Sequence, residues 1–151
     1  MITVLDVQQE ETARTMLSVQ IPSYQVEADL IGFQGIPQLR DTVEKLQESG
    51  ENFVGFLEAG ELAAFISYTE DSGEVDICRL VVHPRHFRKG IARKLVRHVL
   101  LNIVQGRKAV VSTGTLNKPA LSLYKSLGFV EVREIGFAPG VSITMLEIPA
   151  S

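Results

Sequence analysis

The sequence has no tryptophan, one cysteine (Cys78) and only 7% aromatic residues. A lone cysteine excludes an internal disulfide framework and a cysteine-based zinc cluster, which suits a reducing compartment. No apolar run approaches the roughly 18 residues of a membrane span. The start, MITVLDVQQEE, lacks the basic n-region and long apolar h-region of a secretory signal. A cytoplasmic protein without a membrane partner is therefore expected. No repeat, linker or low-complexity segment interrupts the chain, and 151 residues that are 45% apolar suit one core, so residues 1–151 are read as a single domain.

Acidic residues are missing from one long stretch. Net charge is 15 minus 18, or −3, too small to draw nucleic acid to the molecule as a whole. Yet the 54 residues from Ile77 to Val130 hold eleven Lys or Arg and no Asp or Glu. Six of the eleven lie between Arg85 and Arg97, in HPRHFRKGIARKLVR, where a glycine precedes a helical pattern. Each of these cations alone reads as a solvated helix face; together, beside a glycine turn, they point to a bound polyanion. Nucleic acid is the weaker candidate, because the stacking aromatics of a nucleic-acid platform are absent.

Periodicity gives a succession of elements. Ile2 to Val4 reads as a strand, followed by a helix through Ala13, Met16 and Leu17. Ser18 to Gly35, holding Pro22, Gly32 and Gly35, reads as a long loop with a short helical piece. Pro37 to Glu48 reads as one helix, with Leu39, Val43 and Leu46 on a shared face. Asn52–Glu58 and Leu62–Thr69 form a hairpin across Ala59-Gly60, and Glu74–Val82 is a third strand. A helix follows Gly90, with Ala92, Val96, Val99, Leu100 and Ile103 inward. Lys108–Thr113 is a strand and Asn117–Leu127 a helix, with Ala120, Leu123, Tyr124 and Leu127 on one stripe. Two strands, Phe129–Ile135 and Val141–Ile148, finish the chain. The strand–helix–strand unit from Glu74 to Thr113 requires a right-handed parallel crossover, whereas the hairpin requires antiparallel pairing. The fold class expected is α/β, a mixed and mostly antiparallel sheet with helices on both faces.

A turn leading from a strand into a helix presents free backbone N–H groups and the positive end of the helix dipole, a site for phosphate oxygens. Phe87-Arg88-Lys89-Gly90-Ile91-Ala92 is so placed: Gly90 and Ala92 permit close backbone approach, and Arg88, Lys89 and Arg93 add charge. Neither the Walker pattern nor G-x-G-x-x-G occurs. The run L-V-V-H-P-R-H-F-R-K-G-I-A-R-K-L, residues 80–95, resembles the acyl-CoA pyrophosphate motif of GCN5-related N-acetyltransferases (GNAT). Asn117-Lys118-Pro119-Ala120 leading to Leu123-Tyr124-Lys125-Ser126-Leu127-Gly128-Phe129 resembles the second hallmark, N-x-x-A-x-x-L-Y-x-x-x-G-F. The first seventy residues are similar in layout only. One departure stands out: in the pattern Q/R-x-x-G-x-G/A, Phe87 occupies the Gln/Arg position and Arg88 a position that is often glycine. Backbone donors, with Arg88 or Arg85 compensating, are expected to preserve binding.

The resemblance implies acetyl-CoA as co-substrate, no metal, and transfer of the acetyl group to a primary amine by direct transfer in a ternary complex. It also implies that the strand before the turn splays from its neighbour, freeing backbone N–H groups of Leu80, Val81 and Val82. Asn117 would bond the cofactor near the pantetheine. Tyr124 would be the general acid: a phenol of pKa about 10 can protonate a thiolate of thiol pKa about 8.5 only slightly uphill. A lysine-like amine is neutral in only on the order of 10⁻³ to 10⁻⁴ of molecules at pH 7, so an acceptor must take its proton. Asp76 and Glu74 are the favoured bases, with Glu27 a third choice. Cys78 reads as a buried small hydrophobe, and His83, His86 and His98 as loop or solvated-face residues. The acceptor is expected to meet Ser18 to Gly35 and the last strands, with Tyr24, Glu27, Asp29 and Phe33 suiting a cationic amine. Two other classes stay open: an acyl-CoA-binding sensor without turnover, and a nucleic-acid binder using the basic stretch. So does the oligomeric state, monomer or homodimer.

Overall fold

The structure, a computed structural model, describes residues 1–151. Strand β1 (Ile2–Leu5) leads into helix α1 (Glu10–Ile31), a 3-10 turn (Pro37–Arg40) and helix α2 (Val43–Glu48). Strands β2 (Asn52–Glu58), β3 (Glu61–Glu70) and β4 (Glu74–Val82) follow. Helix α3 (Ile91–Val99), continued by a π-helical turn over Leu100–Val104, leads to strand β5 (Lys108–Gly114) and helix α4 (Lys118–Ser126). Strands β6 (Val130–Ala138) and β7 (Val141–Ile148) complete one seven-stranded sheet, in the order β1-β2-β3-β4-β5-β7-β6. Only β4 and β5 pair in parallel, as the crossover through α3 demands; every other pairing is antiparallel. No helix is long and apolar enough to cross a membrane.

Period-2 alternation divides the core between the two sheet faces. Phe53, Phe65 and Val81 pack with Ala13, Met16, Ala28 and Leu46 from α1 and α2. Val54, Ile66 and Ile77 pack with Leu95, Val96, Val99, Leu121 and Tyr124 from α3 and α4. The hairpin turn falls where expected, with Ala59 and Gly60 both at positive φ (51° and 79°), the geometry that matches strand twist in a two-residue loop.

Two helical expectations are corrected. Ser18 to Gly35 is mostly not a loop: α1 runs unbroken through Pro22 to Ile31, and Gly32 ends it in the left-handed conformation at φ 70°. Its buried positions, Ala13, Met16, Gln20, Tyr24, Ala28 and Ile31, keep helical spacing, and that packed face outweighs the roughly 3 kcal/mol that an interior proline costs. Conversely, Pro37–Glu48 is not one helix. Asp41 and Thr42 are extended, and the Thr42 hydroxyl accepts the Lys45 N–H at 3.2 Å to start α2 afresh. In α3 the most buried positions include Ile91 and Leu95, while Ala92, Leu100 and Ile103 are only half-buried.

A polar cluster ties these pieces together. The Arg79 guanidinium is 8% exposed. It donates through Nε and Nη2 to the two Glu51 carboxylate oxygens at 2.9 and 3.2 Å, and through Nη1 to Gln20 Oε1 at 3.2 Å and to Asp41. Gln20 Nε2 donates to Asp41 Oδ2 at 2.7 Å and to the Gln38 carbonyl at 3.1 Å. One guanidinium thus joins α1, the chain between the 3-10 turn and α2, the approach to β2, and β4.

Candidate active site

The parallel ladder between β4 and β5 stops early. It pairs Glu74–Ile77 with Lys108–Val111, although β4 continues to Val82 and β5 to Gly114. Beyond it the strands part. The register against β3 slips at the same point: Ser67 faces Arg79 and Tyr68 faces Ile77, leaving Cys78 as an extra residue in β4. A bulge of this kind bends its strand, so Cys78 marks where β4 turns away from β5. The alternation of the β3 ladder then decides which amides are free. His83 N–H donates to the Ala63 carbonyl at 2.9 Å, and Val81 has the same parity, facing Phe65. The Val81 amide therefore belongs to the sheet, while those of Leu80 and Val82 point into the opening, where the Ser23 hydroxyl accepts the Val82 N–H at 3.3 Å.

Two cavities meet in the opening. The first, about 570 Å³, lies over the glycine turn and is lined by Leu80, Val82, the stretch from His86 to Arg93, Asn117 and Ala120. The second, about 340 Å³, lies between the start of the splay and β6–β7 and is lined by Tyr24, Cys78, Leu80, Ser112, Asn117 and Tyr124, among others. Glu27, Leu80, Asn117 and Ala120 line both. Of the residues expected to contact the cofactor, Leu80, Val82, Phe87, Arg88, Lys89, Gly90, Ile91, Ala92, Arg93 and Asn117 come together on the larger cavity; Val81, buried in the α1 cluster, does not.

Backbone geometry prepares the turn for an anion. Gly90 caps α3 at φ 75°, and a Cβ there would meet open space, so the cavity reaches the helix N-terminus. Arg88 also sits in the left-handed region at φ 64°, the conformation that explains why glycine suits this position. The cations divide into two sets. Arg85 pairs with Glu61 at 2.7 Å, and Lys89 with Glu58 at 3.0 Å. Arg85 does not line the cavity, so its expected compensating role is not supported. Arg88 and Arg93 line it and form no ion pair. His86, expected on the surface, is packed against Glu58 at 2.8 Å, and the bonds from Lys89 and His86 hold the Glu58 carboxyl below its usual range. Arg88→Gly is expected to leave the melting temperature nearly unchanged. Relief of left-handed strain, about 1 kcal/mol, offsets the comparable entropy cost of glycine. Acetyl-CoA affinity in the same variant should fall several-fold, a divergence that calorimetry and thermal melts measure together.

Asp76 and Glu74, expected as bases, lie away from the opening. Both lie on the paired part of β4, neither lines either of these two cavities, and Glu74 approaches Lys108 at 3.6 Å. Burial, then Glu74 and Glu51, raise the Asp76 carboxyl. Glu27 takes the central place. On α1, Tyr24, Glu27 and Ile31 face the smaller cavity, and Ser23, Val26, Glu27 and Leu30 the larger. Burial raises the Glu27 carboxyl above its ordinary 4.5, and the adjacent Asn117 amide partly opposes this.

Tyr124 is 4% exposed and packs edge-on to Phe129 with centroids 5.5 Å apart, so the expected core packing is present. Its side chain also lines the smaller cavity, and no buried side-chain oxygen lacks a partner, so the hydroxyl is open to that space. Burial and the Glu27 charge both push the phenol pKa up, which keeps it protonated at every physiological pH. Asn117 Oδ1 accepts the Ala120 N–H at 3.3 Å, capping α4 and leaving the amide nitrogen toward Thr113 and the cavities. Burial lifts the Cys78 thiol to about 11, so it is no nucleophile at neutral pH.

This arrangement, a splayed parallel pair above a cationic glycine turn, is that of the GNAT fold. The Acetyltransferase (GNAT) family model matches residues 14–129, and the chain belongs to that family. It is 40% identical over 148 residues to UPF0157 protein YqkA of Bacillus subtilis (strain 168), covering 98% of this chain but 43% of that protein. The chain thus spans less than half the length of that relative. Among solved structures, the Escherichia coli ribosomal-protein-S18-alanine N-acetyltransferase superposes with a TM-score of 0.78 at 18% identity, covering 100% of this chain and 94% of the other. The paia N-acetyltransferase of Thermoplasma acidophilum, in complex with coenzyme A, gives 0.72 at 17% identity, covering 96% and 98%. At these identities the structural likeness bears on the fold alone.

Proposed function

We propose that the chain is an acetyl-CoA-dependent N-acetyltransferase that moves the acetyl group directly to a primary amine in a ternary complex. The observation that carries this reading is the meeting of two cavities at Glu27, Leu80, Asn117 and Ala120, one floored by a phosphate turn and the other reached by the Tyr124 hydroxyl. The larger cavity fits the co-substrate: amides at the start of α3 and the unpaired Arg88 and Arg93 take the pyrophosphate, and the opening between β4 and β5 takes the pantetheine arm.

The chain's own groups then divide the reaction. The free Leu80 amide donates to the thioester oxygen, and one such donor aimed at developing oxyanion charge is worth roughly 10²- to 10³-fold in rate. Glu27, directly or through one water, takes a proton from the ammonium of the acceptor. The neutral nitrogen attacks the carbonyl carbon, a C–N bond forms, the nitrogen releases its extra proton to solvent, and the C–S bond breaks as the tetrahedral intermediate collapses. Tyr124 gives its proton to the departing thiolate and regains one from solvent. Tyr124→Phe keeps the ring and its contact with Phe129, so it should fold normally while kcat falls about 10²-fold, the lower range for loss of a general acid. A thiol-release assay checks this; wild-type kcat in the variant removes Tyr124 from the mechanism. Acetyl-CoA binding without turnover of any amine would instead favour a sensor.

A further inference from the structure

Building on the acetyl-transfer reading, we infer that the acceptor is a small monoamine with an apolar, arylalkyl body, and that Phe33 is a residue that selects it. The smaller cavity holds Glu27 as its one uncommitted carboxylate. The guanidinium of Arg79, which also lines it, is already engaged by Asp41 and Glu51. Asp29, on the same helix, does not reach the cavity; its Oδ1 accepts from Gln25 and Gln34 at 3.1 and 2.9 Å on the outer surface. One ammonium therefore finds a carboxylate, whereas a second would meet only neutral groups such as Gln38, Ser112 and Ser142, and the engaged Arg79 guanidinium. This disfavours polyamines and aminoglycosides.

The walls select the rest of the molecule. Ile31, Ile36, Val141 and Ile143 are among its lining, and Phe33 and Phe137, which line it too, meet edge-on with ring centroids 5.6 Å apart at 82°. Phe33 follows α1 and Phe137 lies on β6, so their contact joins the two sides of the cavity. The Phe33 ring rests on Gly35: a Cβ there would lie 2.4 Å from the ring tip. A volume of about 340 Å³ lies at the lower end of the range of small-ligand pockets, which suits a small acceptor with a ring or short alkyl body.

The test is a thiol-release panel of phenethylamine, ethylamine, spermidine, an aminoglycoside and a peptide with a free N-terminal alanine, run after calorimetry with acetyl-CoA. Phenethylamine should exceed each other acceptor in kcat/KM by about 10- to 100-fold, the scale that apolar pocket contacts provide. In Phe33→Ala the preference for phenethylamine over ethylamine should shrink about tenfold, mainly through KM. Gly35→Ala, which displaces the ring without removing it, should shrink it in the same direction. Higher kcat/KM for spermidine, the aminoglycoside or the peptide, an unchanged preference in both variants, or no turnover of either monoamine by protein that binds acetyl-CoA overturns this inference alone. No heat with acetyl-CoA removes the acetyl-transfer reading and this inference together.

Discussion

Arg79→Ala is expected to destabilise the fold by roughly 3–5 kcal/mol, the usual result of removing one partner of a buried ion pair. At about 2–4 °C per kcal/mol for a domain of this size, the melting temperature falls by roughly 6–20 °C. The cause is what remains: the Asp41 and Glu51 side chains are each 12% exposed and would lose the guanidinium that faces both of them. Gln20, fully buried, would lose the donor to its Oε1. A triple variant, Arg79→Met with Asp41→Asn and Glu51→Gln, removes the charges together and should recover most of the loss, because buried ion pairs gain little over well-packed neutral groups. Urea unfolding with an unchanged m-value measures both. A single-variant loss under 1 kcal/mol would show that water reaches the cluster and screens it.

That cluster also explains which parts of the fold were legible. The hairpin, the crossover and both acyl-CoA motifs were readable because their signals are local: Ala59-Gly60 between two alternating strands, Gly90 before an amphipathic helix, and Asn117 capping the helix that carries Tyr124. Helix α1 was hidden because its buried face includes Gln20, a polar residue whose partners lie far away in sequence at Asp41 and Arg79, so the apolar period fails near Pro22. The place of Glu27 depends on that helix. With α1 unbroken, Tyr24, Glu27 and Ile31 fall at i, i+3 and i+7 on one face, which places Glu27 at the opening rather than in a loop. The bulge at Cys78 carries no glycine to announce it. Without that bulge, nothing in the strand pattern separates the paired positions of Glu74 and Asp76 from the free amides of Leu80 and Val82.

Glu27→Gln is the variant expected to cost most in rate. Loss of a general base lowers kcat by about 10²- to 10⁴-fold, while the amide keeps the shape and can still face Asn117. Stability should move the other way. Burial raises the folded-state Glu27 pKa above the ordinary 4.5. Between the unfolded and folded values the native state therefore binds more protons than the unfolded state, and stability falls as pH rises through that window. Below the ordinary value the group is neutral in both states and contributes no such loss. At neutral pH the wild-type protein carries the penalty of a half-buried charge that glutamine lacks, so Glu27→Gln should melt at the same temperature or higher. The kinetic signature is equally specific. In the wild type, kcat/KM should rise with pH along a limb whose midpoint lies above the ordinary carboxylate value, because only the ionised form accepts the ammonium proton, and that limb should vanish in the variant. Should the limb persist in Glu27→Gln with kcat within threefold of wild type, proton removal passes through another group or through solvent alone, and Glu27 would serve only to attract the ammonium. An inactive variant that also melts much lower would assign Glu27 to the fold. Loss of rate without loss of stability is the combination expected of a carboxylate kept at the junction of two cavities for its chemistry.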